Sequence, residues 1–271
     1  MQKVAPKTIG LIAGNGQYPL IFAGKARERG HRVVAVAVRG ETESGIEELA
    51  DKVHWIEVTD LERLTEYLKS EGVTDVVMAG QIKHKKLFSG FKPDPALAFI
   101  LATAPDKRAD TLLKAVAKYL ARKGLTLLSS KTYLSDLIPS RGVLTRRNPS
   151  PEQEADIRFG FELAKKVSAL DVGQAVAVKA KAVVAVEAME GTDDMIRRAF
   201  QVAGPGIVIV KVSKAKQDVR FDVPCIGLKT VQALADAQTG VLAIEAGETL
   251  ILERERVLCE ADTRGVCIVA V

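Results

Sequence analysis

The chain has 271 residues, 47% hydrophobic, 27% charged and 5% aromatic, with a formal net charge of +5 and a pI near 9.0. This is the composition of a soluble globular protein with room for two domains, and no apolar run approaches the roughly 18 residues that a membrane span requires. Few aromatics and dispersed basic charge argue against nucleic acid as the partner, and suit instead an anionic small ligand or an anionic membrane surface. Cys225, Cys259 and Cys267 show neither metal spacing nor an even-numbered disulfide set, which fits a reducing cytoplasm. No signal peptide is expected, because the first residues run straight into a strand-like segment.

Residues 8–19, Thr-Ile-Gly-Leu-Ile-Ala-Gly-Asn-Gly-Gln-Tyr-Pro, read as a buried strand entering a glycine-rich turn. A helix over 20–29 and an apolar strand over 32–38 follow. That order predicts an α/β domain with a Rossmann-like parallel sheet. Gly14, Asn15 and Gly16 form the turn. Its glycines let backbone N–H groups approach a ligand, and the following helix N-terminus favours an anion. A glycine turn after a first strand is equally common as plain topology. Pro19 takes the third glycine position of a dinucleotide fingerprint, and no G-x-x-x-x-G-K-[ST] loop is present.

Strands over 53–58 and 75–80 and an amphipathic helix over 60–71 extend the pattern. The last of these strands runs into Gly80-Gln81, then Lys83, His84, Lys85 and Lys86. Ligands bind such sheets at the C-terminal ends of strands, which makes Gly80 and Gln81 contact candidates. His84 among lysines reads as part of a solvated basic loop, and the lysines suit solvent or anionic headgroups equally. His31 and His54 flank apolar runs and read as structural. Helices over 93–104 and 109–122 and a strand over 126–128 complete an N-terminal domain, 1–132.

Residues 133–150 carry prolines and small polar residues without periodicity and read as a linker. A mixed α+β domain, 151–271, is expected beyond it. Its elements are a helix over 151–170, a hairpin over 174–178 and 182–187, and a helix capped by Thr192 or Asp193 after Gly191. A strand over 206–212, a helix over 230–237, strands over 241–245 and 249–252, a helix over 254–262 and a strand over 266–271 follow. The helix start at Gly191-Thr192-Asp193 is an anion site by geometry, with Arg197 on the same helix, and equally an ordinary acidic cap.

The chemistry concentrates in residues 211–224, Lys-Val-Ser-Lys-Ala-Lys-Gln-Asp-Val-Arg-Phe-Asp-Val-Pro. Lys211, Lys214 and Lys216 open it. Its second half alternates polar and apolar residues and predicts a strand, with Asp218, Arg220 and Asp222 on one face and successive side chains of that face about 7 Å apart. Such a face suits Mg²⁺ plus a phosphate, which Arg220, Lys214 or Arg197 would hold. It equally suits a solvated ion-pair ladder.

Taken in order, residues 10–19, residues 185–198 (Ala-Val-Glu-Ala-Met-Glu-Gly-Thr-Asp-Asp-Met-Ile-Arg-Arg) and residues 216–224 with Ile226-Gly227 resemble the LpxI family. These are the UDP-2,3-diacylglucosamine pyrophosphatases of lipid A biosynthesis. The resemblance runs over about 8–271. It implies a two-domain cytoplasmic enzyme, peripheral to the inner membrane, with its active site in the interdomain cleft. It implies Mg²⁺-dependent hydrolysis of UDP-2,3-diacylglucosamine to UMP and 2,3-diacylglucosamine 1-phosphate. Asp222 corresponds to the family's key aspartate, with Asp218 the second candidate for catalysis and metal. Gly191, Thr192, Asp193 and the first glycine loop are implied substrate contacts, although Asn15 stands where glycine is more usual. A weakly held homodimer is expected. Two other classes fit the same residues: a non-catalytic sensor of a nucleotide or nucleotide sugar, and a dinucleotide-dependent oxidoreductase.

Overall fold

The computed structural model describes residues 6–82, 92–106, 108–214 and 217–271, so Lys83, His84, Lys85, Lys86 and Lys216 lie outside the described residues. The chain forms two compact units, Met1–Tyr133 with Val219–Phe221, and Leu134–Asp218 with Asp222–Val271.

In the first unit the described elements are β1 (Thr8–Ala13), α1 (Tyr18–Glu28), β2 (Arg32–Val38), α2 (Ile46–Leu49), β3 (Lys52–Ile56), α3 (Leu61–Ser70), β4 (Asp75–Ala79), α4 (Pro95–Thr103), α5 (Ala109–Arg122) and β5 (Thr126–Leu127). The strands pair in parallel in the order β3-β2-β1-β4-β5. This is a doubly wound sheet whose order reverses between β1 and β4. Residues 33–38 are buried without interruption, as expected of a strand covered on both faces. Ile12, Val34, Val36 and Val76 pack with Leu64 and Leu68 of α3 and Leu120 of α5.

Glu71, at the C-terminal end of α3, accepts from Arg32 at 2.7 Å and pairs with Lys52. The hydrogen bonds from Arg32 and Lys52 hold its carboxyl at about 2. A depressed carboxylate favours the folded state above its ordinary pKa and loses that advantage as pH falls through the depressed value. Glu71→Gln lacks it throughout. The melting temperature of Glu71→Gln should therefore lie below that of the wild type near neutrality. The gap should close as pH falls from about 4.5 toward about 2. A gap that persists in acid would show that the pairing contributes nothing.

In the second unit the described elements are a 3₁₀ turn (Ser135–Leu137), β6 (Gly142–Val143), α6 (Pro151–Ala169), β7 (Ala175–Lys179), β8 (Ala182–Val186), α7 (Thr192–Ala203), β9 (Val208–Lys211), β10 (Cys225–Ile226), α8 (Leu228–Asp236), β11 (Val241–Ile244), β12 (Leu250–Ile251), α9 (Arg254–Thr263) and β13 (Cys267–Ala270). The main sheet runs β6-β13-β11-β9-β7-β8. Its centre, β9, β11 and β13, is parallel, while β6, β7 and β8 pair antiparallel. Strand alternation divides its residues between two cores. Ala175, Ile209, Leu242 and Ile268 face Met195, Val231 and Val257 of α7, α8 and α9. Val176, Val208, Val241 and Cys267 face Ile157 and Ala164 of α6. Ser150 and Gln153 close a reciprocal cap at the start of α6. At Gly160 a Cβ would stand 2.7 Å from Val210, so glycine sets how closely α6 lies on the sheet.

Three expectations change. The stretch 133–150, read as a linker, contains a 3₁₀ turn and β6, which pairs with β13. Residues 218–223 are not a strand: the Asp222 N–H donates to the Asp218 carbonyl at 2.9 Å, closing a turn over five residues. Asp218, Arg220 and Asp222 therefore do not share a strand face. The cap of α7 is Gly191 (φ 84°), with neither Thr192 nor Asp193 in that position. Its positive φ is cheap only for glycine.

Candidate active site

Sheet register gathers the polar groups of the second unit at one edge. Lys211, at the C-terminal end of β9, stands opposite Ala175 of β7 and Ile244 of β11. Gln174 precedes β7, Glu187 follows β8, and Glu245 follows β11. Four separate chain segments thus deliver side chains to the same rim.

Asp222 receives a hydrogen bond from Gln174 Nε2 on Oδ1 at 3.3 Å, and its Oδ2 lies 3.3 Å from Lys214 Nζ. Lys214 also reaches Asp171 Oδ1 at 2.8 Å. Burial pulls the Lys214 pKa down, but the bond to Asp171 and the charges of Asp222 and Asp171 outweigh it and raise the pKa overall. Gln217 clasps the loop, its Oε1 accepting from Lys214 N at 3.0 Å and its Nε2 donating to the Asp222 carbonyl.

A second arm runs through α7. Lys211 Nζ donates to Thr192 Oγ1 at 2.7 Å, and that hydroxyl donates to Glu187 Oε1 at 2.7 Å. Glu187 Oε2 accepts from Gln174 N at 2.9 Å, which joins the two arms. Glu187 and Thr192 are both buried. Asp193, in the first turn of α7, accepts from Thr230 Oγ1 in the first turn of α8 at 3.0 Å, so two helix N-termini converge here. Cys225 keeps some solvent contact as a residue, but burial raises its thiol pKa. Lys211 opposes that rise, while Asp193 and Asp222 add to it.

The loop that carries Lys214 and Asp222 is pinned at its start. Glu245 accepts from Ser213 N and Oγ, both at 2.7 Å, and from Lys165 Nζ of α6 at 2.9 Å. Burial pushes the Glu245 carboxyl up, but these bonds outweigh it and leave the pKa lowered.

Other expected residues make contacts of their own. Arg197 pairs with Asp194 on its own helix. The Arg220 carbonyl accepts from Ser130 Oγ at 2.7 Å, within the first unit. In the glycine loop, Gly14 N donates to Ala79 O at 2.8 Å and Asn15 N to Gln81 O at 2.7 Å. A Cβ on Gly80 would stand 2.6 Å from Asn15 O, and one on Gly14 2.8 Å from Gln81 O. Gly14 and Gly80 thus let two backbones meet, and the N–H groups of Gly14 and Asn15 go to that junction. Gly16 (φ 87°) has open space around its Cβ position.

Lys214, Thr192, Asp193 and Asp222 stand in patterns that the sequence displays, whereas Glu187, Gln174, Asp171, Gln217 and Thr230 do not, and Lys211 is there one lysine of three. The only sequence signal for Lys211 was a charged residue ending an apolar run. Among the described residues no three His, Cys, Asp or Glu side chains converge to hold a metal ion by themselves.

Residues 8–137 match the LpxI N-terminal domain and residues 140–269 the LpxI C-terminal domain. UDP-2,3-diacylglucosamine pyrophosphatase LpxI of Caulobacter vibrioides is 29% identical over 278 residues, covering 98% of both chains. Among solved structures, an ADP complex of N5-carboxyaminoimidazole ribonucleotide synthetase aligns at 15% identity and TM-score 0.30, over 74% of this chain and 37% of that one. The structure of gox2253 aligns at 14% identity and TM-score 0.33, over 97% of this chain and 76% of that one. Scores this low carry no argument. The two domain matches together span nearly the whole chain, and the chain belongs to the LpxI family.

Proposed function

We propose that the protein is a UDP-2,3-diacylglucosamine pyrophosphatase of lipid A biosynthesis, which hydrolyses the diphosphate to UMP and 2,3-diacylglucosamine 1-phosphate with Mg²⁺. Family membership supports the substrate. The observation that carries the chemistry is the joined network of Lys211, Thr192, Glu187, Gln174, Asp222 and Lys214 beside two helix N-termini. Helix N-termini and ammonium groups are what a diphosphate requires.

The donor set fits a divalent cation. Glu187, Asp193, Asp171 and Asp222 set four carboxylates against two ammonium groups, so an anionic diphosphate would meet net negative charge unless a cation came with it. Mg²⁺ is commonly held by one or two carboxylates, with substrate phosphates and water completing its shell. Asp222, held by Gln174, and Asp193, held by Thr230, would hold it here. Bound Mg²⁺ would supply positive charge that polarises the diphosphate.

The side chains do the rest. Lys211 and the N–H groups of the α7 and α8 first turns hold phosphate oxygens. They stabilise the charge that develops as the P–O bond breaks. Lys214, fixed between Asp171 and Asp222, stays protonated and keeps the Asp222 carboxylate in place. Water adds to one phosphorus, the bridging P–O bond breaks, and the two monophosphates leave. No described helix is long and apolar enough to cross a membrane. On the LpxI reading the enzyme works in the cytoplasm and meets its lipid substrate at the membrane surface.

The test is UMP release from dispersed UDP-2,3-diacylglucosamine, with Mg²⁺ and with chelator. Release that needs Mg²⁺ is expected. A folded wild type that releases no UMP would overturn the assignment and favour a nucleotide-sugar sensor.

A further inference from the structure

Glu187 is a buried carboxylate with no cation in direct contact among the described residues. Burying such a charge is costly unless it is hydrogen-bonded. Its two oxygens are taken by separate donors, Thr192 Oγ1 at 2.7 Å and Gln174 N at 2.9 Å. Each donor continues to a charged group of the site. A threonine hydroxyl has one proton. Because the Thr192 hydroxyl gives that proton to Glu187, only its lone pairs face Lys211, and the ammonium must donate to it, as the 2.7 Å contact shows. A carboxylate that polarises the hydroxyl strengthens that acceptor. On the other side, Glu187 fixes the backbone of the residue whose side chain donates to Asp222 Oδ1.

We infer that Glu187 is a positioning residue for both arms of the site, setting Lys211 through Thr192 and Asp222 through Gln174. The inference rests on the reading of Lys211 and Asp222 as diphosphate-handling groups. It does not require Glu187 to touch substrate.

The decisive series is Glu187→Gln, Thr192→Val and Thr192→Ser, each measured for UMP release and for binding of inorganic pyrophosphate by calorimetry, with thermal melts. Hydrogen bonds to charged groups set the scale. Glu187→Gln and Thr192→Val should each lower kcat by roughly 10- to 100-fold and weaken pyrophosphate binding at temperatures where the variant is folded, and each should also melt a few degrees lower, because a buried hydrogen bond is lost. Thr192→Ser keeps the hydroxyl and should restore most of what Thr192→Val loses, which a purely structural role for the side-chain volume would not produce. If Glu187→Gln fails to fold, the Thr192→Val and Thr192→Ser pair decides alone. Wild-type turnover and pyrophosphate affinity in Thr192→Val would overturn the inference, as would a Thr192→Ser variant as poor as Thr192→Val. If the wild type releases no UMP, yet pyrophosphate binding is lost in Thr192→Val and retained in Thr192→Ser, the proposed reaction fails while the positioning role stands.

Discussion

Asp222→Asn should lower UMP release by about 10²- to 10³-fold while the protein melts near the wild-type temperature. The two halves of this expectation have different causes. Asp222 contributes little to stability, because its side chain is 27% exposed and its contacts to Gln174 and Lys214 are long, at 3.3 Å each. Partly exposed pairs of this kind contribute about 0–1 kcal/mol. Asparagine keeps the volume and can still accept from Gln174. Lys214 is not stranded by the change, because Asp171 holds it at 2.8 Å. What asparagine removes is the negative charge. Asp222→Ala should lose at least as much activity. Rates measured at saturating substrate and Mg²⁺, beside circular dichroism of each variant, provide the check. Near-wild-type turnover in Asp222→Asn would remove this carboxylate from the mechanism.

The fold was legible where one element had one dominant environment. Residues 32–38 form an unbroken apolar run because parallel strands are covered on both faces, and β2 occupies that range. Residues 109–122 show helical spacing before Gly124, and α5 matches it. Residues 218–223 misled, because Asp-Val-Arg-Phe-Asp-Val has the period of a strand without a strand's pairing partner. Alternation describes side chains alone. The backbone instead closes the Asp222 to Asp218 turn, and Gln217 holds it by bonding at both ends of the loop. The two-residue strands β6 and β10, and the four-residue α2, are too short to show any period.

The candidate site divides the same way. Asp222, Lys214 and the Gly191-Thr192-Asp193 turn sit in local patterns that a sequence displays. Glu187, Gln174 and Lys211 become neighbours only through the register of β7, β8 and β9. Nothing local distinguishes Glu187 from any acidic residue at the end of a strand. Its burial and its two donors are tertiary facts. In the first unit the glycines were visible, but the close approach that requires Gly14 and Gly80 depends on β4 running beside β1.

The largest loss of stability is expected at Gly173, which no pattern singled out. A Cβ placed there would lie 2.0 Å from the Glu187 carbonyl oxygen, 2.6 Å from its carbonyl carbon and 3.1 Å from its Cβ. The first two neighbours are backbone, so no rotamer change relieves the contact. Either the turn before β7 or the end of β8 must move. Both are tied where they stand, since Glu187 N donates to Ala175 O and Gln174 N to Glu187 Oε2, both at 2.9 Å. Overpacking of this kind costs about 1–3 kcal/mol, and each buried hydrogen bond lost with it adds about 1 kcal/mol. Gly173→Ala should therefore lower the melting transition by roughly 10 °C. It should also reduce turnover at temperatures where the protein remains folded, because the displaced residue is Glu187, which holds Thr192 and Gln174. The contrast with Asp222→Asn is the informative part. One substitution removes charge and leaves the frame intact, while the other adds a single methyl group and disturbs the frame that presents the charge. Wild-type melting in Gly173→Ala would mean that the turn does not pack on Glu187, and the basis for joining the two arms of the site would go with it.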